Sequence, residues 1–96
     1  MRLSIVAKPA TKERLEAARQ IGAEEVVYYS IEDRAAIFDQ FGAFVERVKA
    51  ADLRASVVEA GPPIGKIVMG EDGWREQTDD WVDAIRLLAS HGVEVI

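Results

Sequence analysis

The sequence predicts an α/β fold on a parallel sheet, in the order βαβαβαβ. Three observations carry this. Four short runs rich in apolar and β-branched residues, at 3–7, 25–29, 55–60 and 93–96, have the length of strands. Between them lie three longer stretches whose apolar residues recur at helical spacing. Gly22, Asp52 and Gly92 stand where each helix must turn back into a strand. Three right-handed crossovers in succession place the helices outside a parallel sheet. Four strands and three helices amount to half of a (βα)8 TIM barrel or to a small open α/β sheet, in a single domain, 1–96.

The first strand, 3–7, is a short apolar run that Lys8 and Pro9 end, as suits a buried parallel strand. Thr11 is the expected N-cap, with Glu13 in the first turn where the helix dipole favours an anion. Leu15, Ala18 and Ile21 form the inward stripe, and Lys12, Arg14, Glu16 and Arg19 the solvated face. The second strand, 25–29 (EVVYY), is β-branched and aromatic. Ser30 and Asp33 stand at capping-box spacing, with Asp in place of the usual Glu. Ile37, Phe41, Phe44 and Val48, with Phe38 and Val45 beside them, form a core-facing stripe. Gly42 inside that helix costs about 1 kcal/mol relative to Ala and predicts a kink or a close contact there.

The third strand, 55–60 (ASVVEA), ends at Gly61-Pro62-Pro63, because proline cannot donate to a sheet ladder. Residues 64–70 are expected as an extended excursion over the sheet edge. Asp72 is the expected cap of the last helix, whose buried stripe is Trp74, Thr78, Trp81, Val82, Ile85, Leu88 and Ala89. Segments 18–27 and 89–96 share a pattern of helix end, glycine, glutamate and β-branched strand, a weak internal βα repeat.

Composition narrows the function classes. The chain is 49% hydrophobic and 30% charged, the profile of a soluble globular protein. A net charge of −5 argues against a nucleic-acid partner, whose affinity comes from basic surface. With no cysteine, neither a disulfide framework nor a thiolate metal site is available. The first residues are too short an apolar run for a signal peptide, and no run reaches membrane-spanning length. A cytoplasmic location with no membrane partner is the expectation.

Several motifs fail on inspection. Residues 61–66 (GPPIGK) are one residue short of a phosphate loop, and Ile67 stands where Ser or Thr would hold magnesium. The dinucleotide fingerprint GxGxxG is missing. His91, the single histidine, sits at a helix end where an imidazolium suits the dipole. What remains is the long loop after the third strand, at the end of a parallel sheet where ligands bind. Glu59 closes that strand, and Lys66 and Arg75 follow. An acid beside two cations suits a polyhydroxy carboxylate: the cations hold the carboxylate and the acid takes a hydroxyl or a metal.

Residues 53–96 resemble the mannonate dehydratase family of xylose-isomerase-like TIM barrels. The matching features are the strand end at Val58 and Glu59 and the excursion Ile67-Val68-Met69-Gly70. The helix start with Gly73, Arg75 and Gln77, the helix body Leu87-Leu88-Ala89 and the strand Gly92-Val93-Glu94-Val95-Ile96 also match. Residues 17–27 look like that family's first helix and second strand. The resemblance implies the amino-terminal half of a lyase that dehydrates D-mannonate to a 2-keto-3-deoxy acid with Mn2+ or Fe2+. It also implies that the metal ligands come from strands beyond Ile96, so no cofactor is expected within this chain. Glu59, Lys66 and Arg75 carry over as substrate-side groups, and no catalytic residue does. An isolated half would be inactive. Its two open strand edges and one bare sheet face favour association, so a homodimer of half-barrels is expected. The alternatives are a self-associating fragment without chemistry and a small sugar-acid binding module.

Overall fold

The computed structural model describes residues 2–96. β1 (Ser4–Val6), β2 (Glu25–Tyr29) and β3 (Val58–Glu59) make one parallel sheet in the order β1-β2-β3. Between β1 and β2 runs α1 (Lys12–Gln20). A π-helical turn (Ala36–Gln40) leads straight into α2 (Phe41–Ala50), which returns the chain to β3. After β3 come α3 (Gly65–Met69) and α4 (Trp74–Ser90). The protein is thus mixed α/β with parallel strands, as its sequence predicts.

Most local signals act where they stand. Thr11 caps α1, its hydroxyl accepting from the Arg14 amide at 3.2 Å. Gly22 and Gly92 take the left-handed conformation at the ends of α1 and α4, and Asp52 does so at φ 60° after α2. The α2 stripe packs as expected: Ile37, Phe41, Phe44, Val45 and Val48 are all buried. With Leu15, Ala18, Val26, Val58, Ala84 and Leu88 they make a single core between the helices and one face of the sheet.

Several expectations need correction. Residues 64–70 are not extended: they wind into α3, a single turn closed by Gly70 at φ 65°. The Lys66 amide at its start donates to Gln77 Oε1 at 2.8 Å, which ties the turn to α4. Asp72 does not cap α4; Gly73, at φ 94°, leads into it without a side-chain cap. Capping before the π turn comes from Asp33, whose Oδ1 accepts from the Ala35 amide at 3.0 Å, not from Ser30. Only Ala84 and Leu88 of α4 are fully buried, while Trp74, Val82 and Ile85 are exposed, as is Ile21 of α1. A helix packed on one neighbour buries a narrower arc than its apolar residues span.

The helix irregularity falls one turn before Gly42, around which there is open space. The π turn begins at Ala36, whose carbonyl accepts the Tyr28 hydroxyl at 2.7 Å. A side chain drawn into a helix's carbonyl ladder in this way is a recognised cause of local distortion. The Tyr28 ring packs on Phe41 and Phe44 with centroids 5.1 and 4.7 Å away. The segment 93–96 is held beside β3 by a single parallel bridge, Val57 to Val95, in place of the predicted fourth strand.

Gly61 is a place where only glycine fits, since a Cβ there would overlap the Trp81 ring. Gly61→Ala is expected to lower stability by about 1–3 kcal/mol, the cost of overpacking, in urea denaturation. Tyr28→Phe should cost about 1 kcal/mol for the lost hydrogen bond to Ala36. Burial pushes the Tyr28 hydroxyl's pKa up, with Arg47 opposing. The folded state therefore keeps a proton that the unfolded chain loses above about pH 10, and stability falls as pH rises. Tyr28→Phe should remove that part of the alkaline decline, which denaturation at pH 8 to 11 would measure.

Candidate functional site at the carboxyl end of the sheet

Parallel strands deliver their carboxyl ends to one rim, and the residues predicted to bind ligand were placed there by sequence position. Glu59 ends β3 opposite Tyr29 of β2, with its side chain exposed. Its carbonyl accepts from the Ser30 amide at 3.2 Å, which fixes the backbone of the rim. Lys66 lies in α3, and its side chain runs along Gly73 at the foot of α4. Arg75, in the first turn of α4, turns its guanidinium over the Trp74 ring at 5.1 Å from the centroid. Lys66 and Arg75 are thus gathered at the start of α4. Glu59 forms no ion pair with either among the described residues. The acid and the two cations flank the rim without closing into one preformed triad.

His91 is used structurally. It ends α4 and sets its ring edge-on to Phe41 with centroids 5.5 Å apart. Among the described residues no three His, Cys, Asp or Glu side chains come together to hold a metal ion.

A second polar group went unnoticed in the sequence, and it lies on the sheet face that no helix covers. Glu25 pairs with Arg54, but Tyr28 pairs with Val58, so four steps of the third strand run beside three of the second. That is a β-bulge, and it reverses the alternation of side chains downstream. Arg54 and Val57 consequently both face the uncovered side, while Val58 reaches the core. Toward the amino-terminal ends of the strands the uncovered face carries Arg2, Ser4, Glu25, Arg54 and Glu94. Ser4 donates to Glu25 Oε2 at 2.8 Å, and Arg2 lies 2.9 Å from Glu25 Oε1. Glu94 receives Arg2 at 2.9 Å and Arg54 at 3.2 Å. Arg2 and Glu94 flank opposite edges of the sheet, about 14 Å apart for three flat strand spacings. Their contact means that both side chains lie inward across the face. Above this network, register aligns Val6, Val27, Val57 and Val95 in one row, of which Val6 and Val95 are more than half exposed. No local signal marks the network, since it depends on a bulge that composition does not reveal.

No protein-family model, curated protein or solved structure matches this chain. No helix among the described residues is long and apolar enough to cross a membrane.

The Arg2 hydrogen bond, followed by its charge, holds the Glu94 carboxyl below the usual carboxylate range. A depressed folded-state pKa contributes stability at neutral pH that is lost as pH falls through it. Glu94→Gln should therefore be less stable than the parent at pH 7. The gap should close near pH 2.5, below the ordinary carboxylate range, as urea midpoints at the two pH values would show.

Proposed function

We propose that this chain is the amino-terminal half of a (βα)8 barrel of the mannonate dehydratase kind, competent only when a second half covers its open sheet face. The observation that carries the reading is the one-sided sheet. Parallel sheets are normally buried on both faces, and here helices cover one face only. The other presents a row of four valines above an ion network, an apolar layer suited to a barrel interior. Consecutive strand order with all helices on one side is also the connectivity of a (βα)n barrel rather than of a doubly wound sheet.

In this reading Glu59, Lys66 and Arg75 are substrate-side groups at the barrel mouth. The two cations receive the carboxylate of a hexonic acid, and Glu59 accepts from one of its hydroxyls. The divalent metal of such a dehydratase, Mn2+ or Fe2+, would acidify the proton beside the carboxylate. Its ligands would belong to the second half, as would the residues that move protons.

Until that half is supplied, a second copy of the chain is the occupant of the open face, so the isolated chain is a homodimer without turnover. The exposure of Val6 and Val95 favours this state over a monomer, because apolar area that meets a partner leaves water at about 25 cal/mol per Å2.

Light scattering on a sizing column should give twice the chain mass, and Val95→Asp should give a folded monomer. A parent chain that is monomeric at high concentration would refute the closure. Co-expression with the carboxyl-terminal half of a mannonate dehydratase should yield manganese-dependent dehydration of D-mannonate. Assembly of the two halves without turnover would leave the scaffold reading and remove the enzymatic one.

A further inference from the structure

A cleft of about 240 Å3 opens where β1 and β2 end, on the side of the sheet that α2 covers. Its apolar lining includes Ala7, Pro9, Ala10 and Phe44, and its polar lining is Lys8, Ser30, Gln40 and Arg47, with Val27, Tyr28 and Tyr29 of β2 along its floor. No carboxylate lines it. In a chain with net charge −5, a cleft holding two cations and no acid is a local reversal of sign.

The two cations are also uncommitted. Arg2, Arg19, Arg34 and Arg54 each lie within 3.2 Å of a carboxylate oxygen. Arg47 and Lys8 make no ion pair among the described residues. Lys8 instead rests over the Tyr29 ring, 5.0 Å from its centroid, and reaches the Tyr29 carbonyl at 3.4 Å. The loop that carries it is held by Arg14, which donates to the Lys8 carbonyl at 2.8 Å. The charges of Arg47 and Asp33 are both felt at the Tyr28 hydroxyl, the Arg47 charge more strongly, although Asp33 does not line the cleft. Thus an ammonium, a guanidinium, a hydroxyl and a carboxamide line one small, partly apolar recess, and the loop carrying the ammonium is pinned in place.

We infer that this cleft between the ends of β1 and β2 and α2 is a binding site for a small hydroxylated carboxylate, with Arg47 and Lys8 holding the carboxylate and Ser30 and Gln40 its hydroxyls. A guanidinium meets a carboxylate with two parallel hydrogen bonds. The volume suits a ligand of about ten non-hydrogen atoms, below the usual range for larger cofactors. The site is distinct from Glu59, Lys66 and Arg75, and it does not depend on closure of the open face.

The test is a titration of the isotopically labelled chain with sodium gluconate, followed by amide NMR, with sodium phosphate and sodium acetate in parallel. Saturable shifts at Lys8, Tyr28, Ser30, Gln40 and Arg47 are expected with gluconate, weaker ones with acetate and none beyond ionic-strength effects with phosphate. Arg47→Met and Lys8→Met should each weaken gluconate at least tenfold while the rest of the spectrum stays in place. Lys49→Met, on α2 but outside the cleft lining, should change nothing. Shifts centred on Lys66 and Arg75 would overturn this inference in favour of the mouth site proposed above. Equal binding of phosphate would overturn the carboxylate assignment, and the absence of saturable shifts would overturn the site. Dissociation of the homodimer in the same samples would bear on the closure alone.

Discussion

β2 is the strand that pairs with β1 on one edge and β3 on the other, and it ties the sheet to the helices. β1 pairs with it over three residues and β3 over two. Such short parallel ladders are weak by themselves. They persist because Val26 and Tyr28 on one face of β2 enter the helix-packed core, where Val26 is fully buried and Tyr28 meets Phe41 and Phe44. The Tyr28 hydroxyl then reaches Ala36 and sets the helix that follows. One strand therefore fixes both the sheet and the placement of α2.

The same strand divides the molecule into a helix-covered side and an open side. Toward the helices, side chains interdigitate into one core. On the other side Glu25 is buried only because Arg2 and Ser4 fold over it. In the valine row above, Val6 and Val95 are more than half exposed. A parallel sheet left in this state exposes apolar area at a cost that a partner surface relieves.

The rim residues illustrate how fold and chemistry separate. Strand direction alone brings Lys8, Tyr29, Ser30 and Glu59 to the same end of the sheet. Which of them share a recess depends on the helices. The π turn supplies Gln40 and α2 supplies Arg47 to the cleft that Lys8 also lines, whereas α3 draws Lys66 away along Gly73 and Trp74 takes up Arg75. The three residues singled out from sequence are therefore spread along the rim, and the convergent cations are a pair that sequence spacing, 39 residues apart by number, does not connect.

The sequence by itself determined the parallel α/β class, the identities of β1, β2, α1 and α2, and the stops at Gly22, Asp52 and Gly92. Those features follow from local periodicity, capping and left-handed preference, which act within a few residues. Only the tertiary structure decided the rest. The bulge between Arg54 and Val57 reverses side-chain facing, and contact with Gln77 winds 64–70 into a turn instead of an extended strand. The fourth strand is reduced to one bridge, Val57 to Val95. Each of these depends on a partner distant in the chain, and no local pattern encodes the partner's position.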